Sequence, residues 1–178
     1  MWTWLNVPST WSNPMHHVSV HTRLTSRAAY SYRNAPEMPS FPDDKPLIVF
    51  DGVCVLCSGF IRFVVARDPH AKIRFVSAQS PLGQALFRHY ALDTDDFETN
   101  LLIADGRAHG KLDAFTGVME LLGDGLGGIW RLALVARLFP RPLRDWLYDR
   151  IARNRYRLFG RTDACVVPDA SWRGRVLE

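Results

Sequence analysis

The chain has 178 residues, 47% of them hydrophobic and 22% charged, with a formal net charge of +4. That length suits one domain with an appendage and excludes a multidomain machine, while the apolar share is enough to fill a core. Three cysteines are too few, and odd in number, for a disulfide-stapled secreted scaffold.

Residues 1–45 read as an N-terminal extension. They hold Trp2, Trp4 and Trp11, the pair His16-His17, and many Ser, Thr, Asn and Pro, with no sustained helical or strand period. Disorder is the expectation there. The acid-poor run with Arg23, Arg27 and Arg33 faintly resembles an organelle transit peptide, and it lacks the apolar centre of a secretory signal. A cytoplasmic location is therefore the default expectation.

Order is expected from Pro46. The continuous apolar run Leu47-Ile48-Val49-Phe50 predicts a strand buried on both faces. Asp51-Gly52-Val53 turns the chain, and from Cys54 a helical period places Leu56, Phe60, Ile61, Val64 and Val65 on one side until Asp68-Pro69. Ile73 to Val76 predicts a second strand. Ser80-Pro81 opens a second helix with an N-cap and a first-turn proline. Asn100 to Ile103 predicts a third strand, and Asp105-Gly106 a hairpin returning through Arg107 to Lys111. Asp113 is expected to cap a third helix, carrying Phe115, Val118, Met119 and Leu122, which the glycines from Gly123 to Gly128 stop.

The order β-α-β-α-β-β-α predicts a mixed sheet with helices on its faces. Residues 46–125 form this core. Residues 126–168 predict a helical extension of the same domain: one helix from Ile129 to Phe139, then a longer one with Leu143, Trp146, Leu147, Ile151 and Leu158 on one side. The stretch Ile129 to Phe139 is the most apolar in the chain, yet it carries Arg131 and Arg137, which argues against a transmembrane helix. Trp146, Tyr148 and Tyr156 are expected as core anchors. Residues 169–178 read as a tail.

Charge is uneven along this layout. Acidic residues outnumber basic ones by four over residues 41–128, whereas arginines outnumber acidic residues by six over residues 129–178. A main domain that bound nucleic acid would carry the positive charge itself, so nucleic acid is not an expected partner. The arginines, including Arg144, Arg150, Arg153, Arg155 and Arg157, read as a solvated face interleaved with Asp145 and Asp149. The alternative is a basic amphipathic surface that contacts a membrane.

Cys54-Val55-Leu56-Cys57 sits where the first strand turns into a helix. Unpaired N–H groups and the partial positive charge at a helix start stabilise an anion, and a thiolate is the nucleophile of disulfide exchange. Cys54 is therefore the expected attacking thiol. Cys57, one turn on, is the expected resolving thiol. Two other readings compete: a metal site, which would want four ligands where only the scattered His70, His89, His109 and Cys165 are on offer, and a pair of inert buried thiols. Neither a metal nor an organic cofactor is expected. Asp51 reads either as a loop-holding turn residue or as a group that moves a proton during exchange. Its charge would raise the pKa of Cys54, against the helix terminus.

The segment Asp51-Gly52-Val53-Cys54-Val55-Leu56-Cys57 resembles the Asp-x-x-Cys-x-x-Cys signature of the DCC family, the DUF393 proteins regarded as thiol-disulfide oxidoreductases. The later segment from Asp149 through Arg161, followed by Cys165 and Pro168, resembles that family's C-terminal motif. The likeness spans about Leu47 to Pro168. It implies a thioredoxin-like α/β fold and disulfide exchange through Cys54 and Cys57, with a disulfide-containing protein or small thiol as substrate and a separate electron donor. Cys165 reads as a further thiol of the site or as a small buried residue. The chain departs from ordinary thioredoxins in the Val55-Leu56 dipeptide between the cysteines and in having no proline just before Leu101. The alternative to an enzyme is a binding module whose cysteines are structural or hold a metal.

Overall fold

The computed structural model describes residues 32–97, 99–123, 135, 138–162 and 172–177. Leu47–Phe50 form β1 at the middle of the sheet, and all four residues are buried, as an unbroken apolar run requires when both faces are covered. Arg74–Ser77 (β2) pairs parallel to β1, with Val49 opposite Val76. Leu101–Ala104 (β3) pairs antiparallel on the other side, with Ile48 opposite Leu102. The turn Asp105-Gly106 has both residues at positive φ, 50° and 74°, the backbone of a tight hairpin, and it returns the chain as Arg107–Gly110 (β4).

Among the described residues four helices cover the sheet: Val55–Arg67 (α1), Pro81–His89 (α2), Lys111–Leu122 (α3) and Arg141–Phe159 (α4). Alternation along β1 divides the core in two. Leu47 and Val49 join Leu82, Leu86, Phe87 and Tyr90 under α2. Ile48 and Phe50 join Ile61 and Val64 of α1 and Val118 and Met119 of α3. α4 lies outside α1 and α3 and packs against both. Ser80 caps α2 through a hydrogen bond accepted from the Gly83 N–H. At Gly83 the helix sits so close to β2 that a Cβ would lie 2.1 Å from the Ser77 carbonyl oxygen. The mixed sheet of five strands and the four helices among the described residues agree with a thioredoxin-like fold.

The structure corrects several expectations. Order does not begin at Pro46: Tyr32 is buried, packs with Leu47 and Val49, and its hydroxyl donates to Asp43 at 3.0 Å. Residues 1–31 lie outside the described residues. The expected tail is built into the domain, because Val176–Leu177 form β5 beside β2 and Trp172 is buried edge-on against Phe75, ring centroids 5.8 Å apart. The strand order is thus β4-β3-β1-β2-β5. Asp113 does not cap α3; the cap lies three residues earlier, at Gly110, and Asp113 falls in the first turn. Trp146 is no core anchor, being 63% exposed, whereas Tyr148 is half-buried and its hydroxyl accepts from the Asn100 N–H. Of the expected helix from Ile129 to Phe139, residues 129–134 and 136–137 lie outside the described residues.

Candidate active site

β1 delivers the chain into the turn at Asp51, and the turn delivers Cys54 to the N-cap of α1. The Cys54 sulfur accepts a hydrogen bond from the Cys57 N–H at 3.4 Å, the place an N-cap hydroxyl or carboxylate usually fills. The Cys57 thiol donates toward the same sulfur. That hydrogen bond is the main reason the Cys54 pKa falls to about 6; burial and the Asp51 charge oppose it, while the Cys57 N–H and Arg155 assist. Cys57 moves the other way. Its thiol is held well above the ordinary range by the hydrogen bond to Cys54 and by burial. Neither cysteine is in a disulfide, and the opposite shifts make Cys54 the more acidic thiol and Cys57 the one that keeps its proton.

Asp51 is enclosed by donors from three parts of the chain. One oxygen accepts from the Val53 N–H at 3.1 Å and from the Gln79 amide at 2.7 Å. The other accepts from the Arg155 guanidinium at 3.3 Å and from the Tyr156 hydroxyl. Gln79 in turn accepts from the Gly52 N–H at 3.0 Å, which closes a ring of bonds around the turn. The Asp51 side chain has no exposed surface and that of Arg155 is 4% exposed. Burial, and then the bond to Asp51, push the Tyr156 hydroxyl up to about 12, so it stays protonated and donating at neutral pH.

After α4 the chain doubles back over the cysteines. Gly160 sits at φ +89°, where glycine meets no Cβ penalty, and the strand-like segment that follows lies against the turn. The Val55 N–H donates to the Gly160 carbonyl at 3.4 Å, and the Thr162 N–H donates to the Val53 carbonyl at 2.9 Å. Cys54 and Arg161 face each other in this antiparallel bridge. Cys54 is fully buried in consequence. Cys57 keeps 6% exposure and lines a cavity of about 390 Å³ between α1, α3, α4 and the sheet.

The structure therefore brings together Asp51, Cys54 and Cys57, and adds Gln79, Arg155 and Tyr156. Arg155 and Tyr156 lie within the sequence segment that resembles the family's second motif, which is the signal that could have found them. Gln79 has no comparable signal. Cys165 lies outside the described residues. Among the described residues no group of three His, Cys, Asp or Glu side chains is placed to hold a metal ion.

Comparison with known proteins identifies the family. The protein YuxK of Bacillus subtilis, whose function is uncharacterised, is 40% identical over 131 residues, 74% of this chain and 93% of its own length. A chloroplastic DCC family protein of Arabidopsis thaliana is 35% identical over 123 residues, 69% of this chain and 70% of its own. No solved structure matches the chain at a significant level. The family profile described as DCC1-like thiol-disulfide oxidoreductase matches residues 48–161, from β1 to the segment that closes over Cys54. With both motifs joined at one site inside that match, the chain belongs to the DCC1-like thiol-disulfide oxidoreductase family.

Proposed function

We propose that the protein is a thiol-disulfide oxidoreductase of the protein-disulfide reductase type, cycling Cys54 and Cys57 between dithiol and disulfide. The observation that carries this is the geometry of the pair: the Cys54 sulfur sits at the N-cap of α1 and accepts from the Cys57 N–H one turn on, an arrangement that lowers the Cys54 pKa and raises that of Cys57. The Cys54 thiolate displaces one sulfur of a substrate disulfide, and the departing thiolate takes up a proton. Cys57 then loses its proton and displaces the second substrate sulfur from Cys54. One disulfide and one dithiol thus become two substrate thiols and the Cys54–Cys57 disulfide. Asp51 holds the loop, since all its bonds go to groups that fix the turn. The sequence expectation of a cytoplasmic setting would favour the reductive direction.

Redox titration of the purified protein against glutathione buffers, read by alkylation and mass spectrometry, tests this reading. A reversible two-electron Cys54–Cys57 couple is expected, together with a mixed disulfide trapped on Cys54 in Cys57→Ser. Absence of the couple would sink the reading.

A second reading concerns partners. Leu143, Trp146, Leu147 and Leu158 of α4 are 50–63% exposed, and Arg150, Arg153 and Arg157 are exposed on the same helix. That pattern suits contact with an anionic membrane surface. Cosedimentation with vesicles containing phosphatidylserine, lost on Trp146→Ala and at high salt, is the expected result. No helix among the described residues is long and apolar enough to cross a membrane.

A further inference from the structure

Disulfide exchange needs access to a sulfur, and the two sulfurs differ in access. Cys54 meets a substrate disulfide only past the segment from Gly160 to Thr162, while Cys57 forms part of the wall of the cavity. That cavity, of about 390 Å³, falls within the size range of small-molecule sites. Ile48 and Leu101 of the sheet, Phe60 of α1, Val118 of α3, and Ile151 and Phe159 of α4 make its wall apolar. Leu56, Ile151 and Phe159 are 37–45% exposed and mark its mouth.

Few polar groups reach it. The Lys111 ammonium is paired with Asp149 at 2.7 Å, and the Tyr148 hydroxyl is bonded to the Asn100 N–H. Arg155, also in the wall, has a buried Nε–H with no acceptor among the described residues. A buried donor without a partner favours a ligand that supplies an oxygen.

Resting on the exchange reading above, we propose that this cavity admits the electron donor, a low-molecular-weight thiol with an apolar body and one acceptor oxygen, which attacks Cys57. Cys54 does not line the cavity, so a nucleophile arriving there has Cys57 before it and Cys54 behind. The donor thiolate attacks the Cys57 sulfur of the oxidised protein, a bond forms between donor sulfur and Cys57, and the Cys54–Cys57 bond breaks. The electron pair leaves on Cys54, the sulfur best able to carry it, and good leaving groups are thiols of low pKa. A second donor thiol then attacks the donor sulfur of that mixed disulfide. It releases the oxidised donor and returns Cys57 as a thiol. Two donor thiols and the protein disulfide become one donor disulfide and the protein dithiol. Charged peptide thiols are poor candidates, because the wall offers their ionic groups little compensation for lost water.

The test compares reduction of the oxidised full chain by benzyl mercaptan, which reports the apolar body alone, and by glutathione, with rates expressed per thiolate. Benzyl mercaptan is expected to react about tenfold faster or more, the gain from burying roughly two methylene groups. Ala114→Leu, which narrows the cavity, brings the ratio of the two rates toward one; Leu112→Trp serves if the first variant does not fold. Quenching mid-reaction with iodoacetamide places the alkyl group on Cys54 and the benzylthio group on Cys57. Equal rates, a ratio indifferent to both variants, or the reverse labelling would overturn the proposal. Dithiothreitol separates the two levels: if it also recovers no dithiol, the exchange reading fails, and if it does while the preference is absent, only the cavity proposal fails.

Discussion

Arg155→Met removes the buried cation paired with Asp51. The Asp51 side chain has no exposed surface, and the guanidinium lies 3.3 Å from its carboxylate. Deleting one partner of a buried pair leaves the other charge uncompensated, which costs about 3–5 kcal/mol. Asp51 would keep Tyr156, Gln79 and the Val53 N–H, so the lower end, about 3 kcal/mol, applies here. At roughly 3 °C per kcal/mol for a domain of this size, the thermal midpoint should fall by about 9 °C. Urea unfolding of the single variants and of Asp51→Asn/Arg155→Met checks the origin of the loss. The double variant should lose at least about 1 kcal/mol less than the two singles together, because neither charge is then stranded. The same change reaches the chemistry: Arg155 helps hold the Cys54 pKa down and Asp51 pushes it up. Thiolate absorbance should therefore titrate higher in Arg155→Met and lower in Asp51→Asn. A loss below about 1 kcal/mol, or strict additivity, would refute the assignment of Asp51 and Arg155 to one buried network.

The pH dependence of the reduced protein should follow Cys54. Its folded pKa, about 6, lies below the unfolded thiol value of about 8.5, so the thiolate's contribution is present above the latter and is lost as pH falls through the former. Urea midpoints of the reduced form should fall relative to the disulfide form between those two values, and a parallel course for both forms would contradict a thiolate on Cys54. Iodoacetamide labelling of Cys54 in the reduced protein should rise with a midpoint near pH 6, however slowly the buried sulfur is reached. Gly83→Ala should destabilise by about 3 kcal/mol, because the new Cβ meets the backbone of Ser77 and Ala78, which no rotamer change relieves; a melt shifted by less than a degree or two would contradict the close packing of α2 on β2. Trp172→Ala should cost about 3–5 kcal/mol by emptying the space against Phe75, whereas a loose tail would make it silent.

Local chemistry wrote much of the fold into single stretches of sequence. Leu47 to Phe50 reads as a covered strand because no polar residue interrupts it, and Asp105-Gly106 reads as a hairpin because few residue pairs accept two positive φ values. Ser80-Pro81 reads as a helix start for similar reasons. Trp172 to Leu177 fails the same reading: a two-residue strand has no period, and its place beside β2 depends on a partner a hundred residues earlier. Asp113 misleads because Asp is a common cap, yet Gly110, with extended backbone, already ends β4 where α3 begins. Trp146 misleads in the opposite sense. A large aromatic on an amphipathic helix usually faces a core, but α4 spends its inward face on Ala152 and Arg155.

By itself, the sequence determined the βαβαββα order, the cysteine pair at a strand-to-helix turn, and the kinship of its two motifs. Each of these depends on residues within a few positions of one another or on patterns a single stretch can show. Only the tertiary structure decided that Asp51 meets Arg155 and Tyr156 more than a hundred residues away, that Gly160 to Thr162 closes over Cys54, and that Cys57 is the sulfur left facing a cavity. The reason is physical: burial and charge compensation belong to groups that meet in space, and no local pattern records which distant side chain will supply the missing donor.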